Sequence, residues 1–174
     1  MPFPAPLMVE GIARFDICLY LEGGQLLRNL AFLSALLAAG AAYAADQTYT
    51  VTGGQVSVPV GLTVQVKTVT VSDVSTKVRL LASFDSHQTL SVNMNDGENA
   101  YLSWGDGEQD RLHMRQIADN KWMRISNGKT MEGDLVFPGV IPPEVKKVSL
   151  VFNPGKTGDD TSAPGVTVPL ELKQ

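Results

Sequence analysis

From Thr48 onward the apolar residues recur at every second position, and no apolar stripe at helical spacing lasts longer than about a turn. A period of two places successive side chains on opposite faces of an extended chain, so each such segment buries one face and wets the other. The inward sets are Val78, Leu80, Ala82 and Phe84; Leu90, Val92 and Met94; Ala100, Leu102 and Trp104; Met131, Leu135 and Phe137; Val148, Leu150 and Phe152; and Val166, Val168, Leu170 and Leu172. These form the expected core. Between them lie Asn95-Asp96-Gly97, Gly105-Asp106-Gly107, Asp119-Asn120, Asn127-Gly128, Pro142-Pro143 and Asn153-Pro154-Gly155. Asn and Asp tolerate left-handed backbone, Gly supplies it, and Pro ends strand pairing, so these are turns. Short strands joined by such turns predict an all-β, antiparallel sandwich or barrel. In Leu62 to Ser72 the apolar phase slips from Val64 and Val66 to Val69 and Val71, which predicts a one-residue bulge.

The N-terminal region follows a different rule. Arg28 precedes an apolar run from Leu30 to Ala42 and the small-residue triplet Ala42-Tyr43-Ala44. This is the layout of a secretory signal peptide, and the run is too short and too weakly apolar to span a bilayer. Cleavage after Ala44 is expected, making residues 28–44 the signal and residues 45–174 the mature β-sandwich domain. Residues 1–27 carry Glu10, Asp16 and Glu22 against Arg14, the wrong charge for a targeting region, and read as a start assigned too far upstream. The single cysteine, Cys18, lies in that stretch and outside any lipid-attachment context. The mature chain therefore holds no disulfide, thiol nucleophile or cysteine-based zinc site. At about 130 residues a hydrophobic core suffices without such staples. The expected product is soluble, periplasmic or secreted.

Composition narrows the function. The chain has 174 residues, 44% of them apolar and 18% charged, which suits one globular domain. A formal charge of -4 with both signs interspersed leaves no positive stripe to track a phosphate backbone, so nucleic acid is not an expected partner. No Gly-x-Ser-x-Gly elbow, phosphate-cradling Gly-x-x-x-x-Gly-Lys loop or His-Glu-x-x-His helix occurs. The expectation is a protein that is not an enzyme and needs no cofactor.

Two residue groups stand out as candidate sites. Arg111, His113 and Arg115 alternate on one face of an expected strand, with Leu112 and Met114 on the other. If Met123 and Ile125 point inward on the next strand, Trp122 and Arg124 share the outward face. The five would then make a patch in which an aromatic ring stacks on a sugar or a partner side chain and cations hold an acidic group. The second group is Asp96, Glu98, Asp106, Glu108 and Asp110, five carboxylates in two Gly-bearing turns that could supply oxygens to calcium. Copper is the other metal to weigh, since Met94, Met114, Met123 and Met131 with His87 and His113 offer soft ligands. The alternation that sends His113 and Met114 to opposite faces argues against it.

The stretch from Asn127 to Asn153 contains Gly128-Lys129-Thr130, then Gly133-Asp134-Leu135-Val136-Phe137, then Val148-Ser149-Leu150-Val151-Phe152. It resembles the C-terminal half of secreted bacterial immunoglobulin-like domains of the immunoprotective extracellular family. The resemblance implies a two-sheet immunoglobulin-like sandwich in an extracytoplasmic setting and brings no catalytic residue with it. Two function classes remain. One is a non-catalytic binding or protein-interaction module for an unknown protein or glycan. The other is a structural or assembly subunit whose Pro-bearing segments Val56–Val60 and Val166–Leu170 serve as exposed edges.

Overall fold

The computed structural model describes residues 46–115 and 119–173. The expected signal peptide at residues 28–44, the expected upstream extension at residues 1–27 and Cys18 lie outside the described residues. Eleven strands follow in chain order: β1 (Gln47–Gly53), β2 (Gln55–Val58), β3 (Leu62–Val71), β4 (Ser75–Phe84), β5 (Ser91–Asn93), β6 (Tyr101–Ser103), β7 (Arg111–His113), β8 (Arg124–Ser126), β9 (Lys129–Pro138), β10 (Lys147–Phe152) and β11 (Val166–Lys173). Single turns of 3₁₀ helix cover Asp96–Glu98 and Glu108–Asp110. Among the described residues no helix is long and apolar enough to cross a membrane.

All pairings are antiparallel, and eight strands hydrogen-bond in the order β7-β6-β10-β11-β1-β3-β4-β9, with β2 lying beside β3. The two ends of that path meet: just past β7, the Arg115 N–H donates to the Val136 carbonyl of β9 at 2.8 Å. The result is one sheet curled into a barrel-like wall. An eight-stranded barrel has an interior that side chains alone can fill. Here Leu62, Val64, Leu80, Phe84, Leu102, Phe137, Leu150, Phe152 and Val168 fill it, each at most 2% exposed. The immunoglobulin-like arrangement expected from the sequence is thus corrected: the strands do not separate into two facing sheets. A second, two-stranded sheet pairs β5 with β8, and its Val92 and Ile125, with adjacent Met94 and Met123, join the same core.

The alternation expected along the chain is present. In β11 the residues from Val166 to Lys173 are buried and exposed in strict turn, and in β10 Val148, Leu150 and Phe152 face inward. The bulge is present too: the β3–β4 register shifts between Val66 and Thr68, which keeps Val69 on the buried side with Val64 and Val66. Three expected core residues are displaced. Leu90 is 83% exposed because the β5–β8 ladder begins only at Ser91, leaving it outside the paired strand. Trp104 and Met131 are partly buried and pack against the rim of the core.

Of the two Pro-bearing segments, Val56–Val60 includes the end of β2, which has β3 as its one ladder partner among the described residues, and Pro59 sits in the turn that follows it. Val166–Leu170 needs correction as an edge, because β11 is flanked by β10 and β1. Pro169 is accommodated there by its orientation. In an extended residue the nitrogen and carbonyl face the same side, and its carbonyl accepts from Gly54 N–H at 3.1 Å, so the missing donor faces away from β10.

The long β10–β11 connection is ordered by side chains. Asp160 accepts from the backbone N–H groups of Ser162 and Ala163 and from the Ser162 hydroxyl, each at 2.9 Å. Chiefly because of the two backbone donors, its carboxyl is held down to about 2, from an ordinary 3.8. A depressed acid stabilises the fold fully above its unfolded value and loses that contribution as pH falls through its folded value. Acid unfolding of Asp160→Ala should therefore depend less on pH between about 4 and 2 than that of the parent chain. Thermal melts across that window check this; an unchanged slope would show that the turn does not need the carboxylate.

Candidate functional site

Non-sequential pairing brings five strands side by side, and their outward residues fall into rows. Arg111, Ser103, Ser149 and Pro169 form one row across β7, β6, β10 and β11; His113, Tyr101, Val151 and Thr167 form the next. On the other side of the first row, Lys147, Glu171 and Thr52 continue across β10, β11 and β1. The middle of this face is built from small side chains, Ser103, Ser149 and Val151, with Gly53 at one end. Larger ones, Tyr101, Trp104, Arg111, Lys147 and Glu171, stand around it. Small residues flanked by large ones on a curved sheet leave an open groove, here of about 810 Å³. A smaller depression of about 260 Å³ adjoins it, shares Tyr101 and Val151, and runs to Asn153, Gly155 and Lys156.

One wall of the groove is a locked polar cluster. The Arg111 guanidinium lies 4.8 Å above the centre of the Tyr101 ring and donates to Glu108 Oε2 at 3.0 Å. Its Nε is buried and has no hydrogen-bond partner among the described residues. His113 Nε2 meets Glu108 Oε1 at 2.6 Å, and its ring stands edge-on to Tyr101 with centroids 6.0 Å apart. The hydrogen bond from His113, with the positive charge of Arg111 beside it, holds the Glu108 carboxyl below its ordinary range. Glu108 is 68% exposed, so the cluster orients Arg111 and Tyr101 and adds little stability.

The sequence patch divides between two sheets. Arg111 and His113 share an outward face of β7 as expected, with Leu112 and Met114 turned toward the core. Arg115 is exposed, and its backbone closes the barrel. Met123 and Ile125 do point inward and leave Trp122 48% exposed, but β8 pairs with β5, so Trp122 and Arg124 are not on a strand beside β7. Lys121 Nζ sits 4.9 Å from the Trp122 ring centre, and the Arg124 guanidinium donates to Ser91 Oγ at 2.9 and 3.1 Å. A turn in which Asn120 bonds both the N–H and the carbonyl of Arg124 takes the chain out of strand geometry before β8 begins.

The five turn carboxylates are likewise dispersed. Glu108 is engaged by Arg111 and His113, and Glu98 pairs with Lys121 at 3.1 Å. Among the described residues no three His, Cys, Asp or Glu side chains converge on a point where a metal could sit, so Asp96, Glu98, Asp106, Glu108 and Asp110 do not form a cage. Met94, Met114 and Met123 are core filler, as their inward phase predicts, and His87 is exposed. Ser126 and Lys129 stand three apart, as a serine–lysine pair on a helix would, but they flank the Asn127-Gly128 turn of an exposed hairpin.

The groove residues Tyr101, Ser103, Ser149, Lys147 and Glu171 escape a reading that follows only inward phases. Their signal is the outward phase of strands whose pairing partners lie far away in sequence, while Trp104, read as inward, lies just past β6 at the rim of the core.

No family model matches the chain. No curated protein matches it either. Among solved structures it is similar to a functionally unknown protein from Listeria monocytogenes EGD-e, with 10% sequence identity and a TM-score of 0.49. The match covers 73% of this chain and 86% of that one.

Proposed function

We propose that this chain is an exported, non-catalytic binding module that takes its ligand in the groove across β7, β6, β10, β11 and β1. One observation carries the reading: an open groove of about 810 Å³ brings Tyr101 and Trp104 together with Arg111, Asp106, Lys147 and Glu171 over a floor of small side chains. A recess combining aromatic surface with a few polar groups is what a ligand site requires. The groove lies on paired strands, and elements of that kind hold a site more precisely than loops do. The layout from Arg28 to Ala44 supports export to the periplasm or beyond the cell. N-terminal sequencing of the protein recovered from its cells should begin at Ala45; an intact residue 28–44 segment would refute the export reading.

The chain has two tryptophans, so Trp122→Phe leaves Trp104 as the sole indole reporter. Ligands of this site should change the emission of that variant, and Trp104→Phe should remove the response. A screen in which every hit acts through Trp122, or none acts at all, would overturn the groove as the binding site.

A further inference from the structure

The groove's chemistry selects among ligand classes. Extended peptides that add to a sheet need an unpaired strand edge for their main-chain hydrogen bonds. Here β11, β10 and β6 are each paired on both sides, so the floor presents side chains and no free backbone ladder. Charge is the second filter. Arg111 is held by Glu108, while Asp106, Lys147 and Glu171 take part in no ion pair among the described residues. One unpaired cation against two unpaired carboxylates gives no attraction for an anionic ligand, and polyanions are excluded. What remains is aromatic surface on Tyr101 and Trp104, the hydroxyls of Ser103 and Ser149, and charged groups free to accept or donate hydrogen bonds. This combination matches a ring with an apolar C–H face and a rim of hydroxyls.

Length is the third filter. Four inter-strand spacings from β1 to β7 amount to roughly 19 Å. The smaller depression adjoins the groove at Tyr101 and Val151 and extends the recess beyond it toward the β10–β11 loop. Tyr101 thus stands where the two recesses meet. Resting on the groove as the binding site, we propose that the two recesses together take an extended, neutral oligosaccharide, with Trp104 and Tyr101 as successive stacking platforms.

The test uses the chain as recovered from its cells, in the Trp122→Phe background, titrated with neutral glucose and N-acetylglucosamine oligosaccharides of increasing length. Trp104 emission should respond, with affinity rising about tenfold or more as the oligosaccharide lengthens from one recess into both, then levelling off. Tyr101→Ala should weaken the longer oligosaccharides about tenfold and the shortest ones less, whereas Tyr101→Phe, which keeps the ring, should bind as the parent does. Ser149→Tyr, which fills the floor from an outward position, provides an independent block should Tyr101→Ala not fold. If no neutral oligosaccharide alters Trp104 emission at millimolar concentration, the ligand class is wrong. A response to acidic oligosaccharides or extended peptides in the same titration would then keep the groove as the site while overturning the neutral glycan. Binding that survives both Tyr101→Ala and Ser149→Tyr in the folded protein would overturn the groove as well.

Discussion

Asn153→Ala is expected to cost about 4 kcal/mol of stability, because one buried side chain replaces three missing backbone contacts. Asn153 is 2% exposed. Its Oδ1 accepts from the Asp96 N–H at 2.8 Å, and its Nδ2 donates to the carbonyls of Asn93 and Pro164, each at 2.9 Å. It thereby ties the end of β10 to β5, to the first 3₁₀ turn and to the β10–β11 loop. Truncation leaves the partly buried Asp96 N–H and Asn93 carbonyl and the buried Pro164 carbonyl without this partner, at up to about 1–3 kcal/mol each before relaxation. The residue also holds a left-handed backbone, φ 47°, which Asn tolerates and Ala does not. Taken as partly compensating, these terms lower Tm by on the order of 15 °C for a domain of this size. Asn153→Gly removes the same hydrogen bonds but relieves the backbone, so it should fall between the parent and Asn153→Ala. A thermal melt of Asn153→Ala within a few degrees of the parent would show that water or loop movement replaces the side chain. Asn153 also borders the smaller depression, so the substitution should deform that recess too.

Gly61→Ala is the second large effect. Gly61 turns the chain from β2 into β3 with φ 98°, and a Cβ there would run into the Asp85 carbonyl. The approach is part of the fold: Gly61 N–H donates to Val58, and its carbonyl accepts from Asp85 N–H, both at 3.0 Å, carrying the β3–β4 ladder past Leu62 and Phe84. A methyl group has no rotamer that avoids a backbone atom, so strand β3 or β4 must move in the most densely paired part of the barrel. A loss of about 3–5 kcal/mol follows, among the largest that single substitutions produce. Gly155→Ala is the control. It also has a positive φ, 81°, but a Cβ there meets nothing within 4 Å, so only the backbone preference of about 1 kcal/mol is lost. Equal melting temperatures for the two variants would mean that the Asp85 contact relaxes freely.

These two positions bear on the proposed binding. Neither lines the larger groove: one secures backbone where the β10–β11 connection leaves the barrel, beside the smaller depression, and the other at the head of the β3–β4 ladder. The groove itself lies on β6, β10 and β11, whose backbone groups are engaged in ladders on both sides. Its shape is therefore set by the register of the sheet, so the proposed ligand would need little reorganisation to enter, which would limit the entropic cost of binding.

The period of two determined a great deal without any structure. Side-chain alternation is a local property of extended backbone, so the inward phase of β4, β10 and β11, the turns at Asn95-Asp96-Gly97 and Asn127-Gly128, and the bulge near Lys67 could all be read from neighbouring residues. The opposed faces of Leu112 and His113 followed from the same rule. Partner choice did not follow. That β6 lies beside β10, that β11 pairs with β1, and that β8 turns away to join β5 are decided by which closure buries the inward faces of all strands at once. One curled sheet in place of two facing ones, the separation of Trp122 from Arg111, and the groove between Tyr101 and Glu171 are consequences of that closure. Alternation says which way a side chain points; only the completed barrel decides what stands next to it.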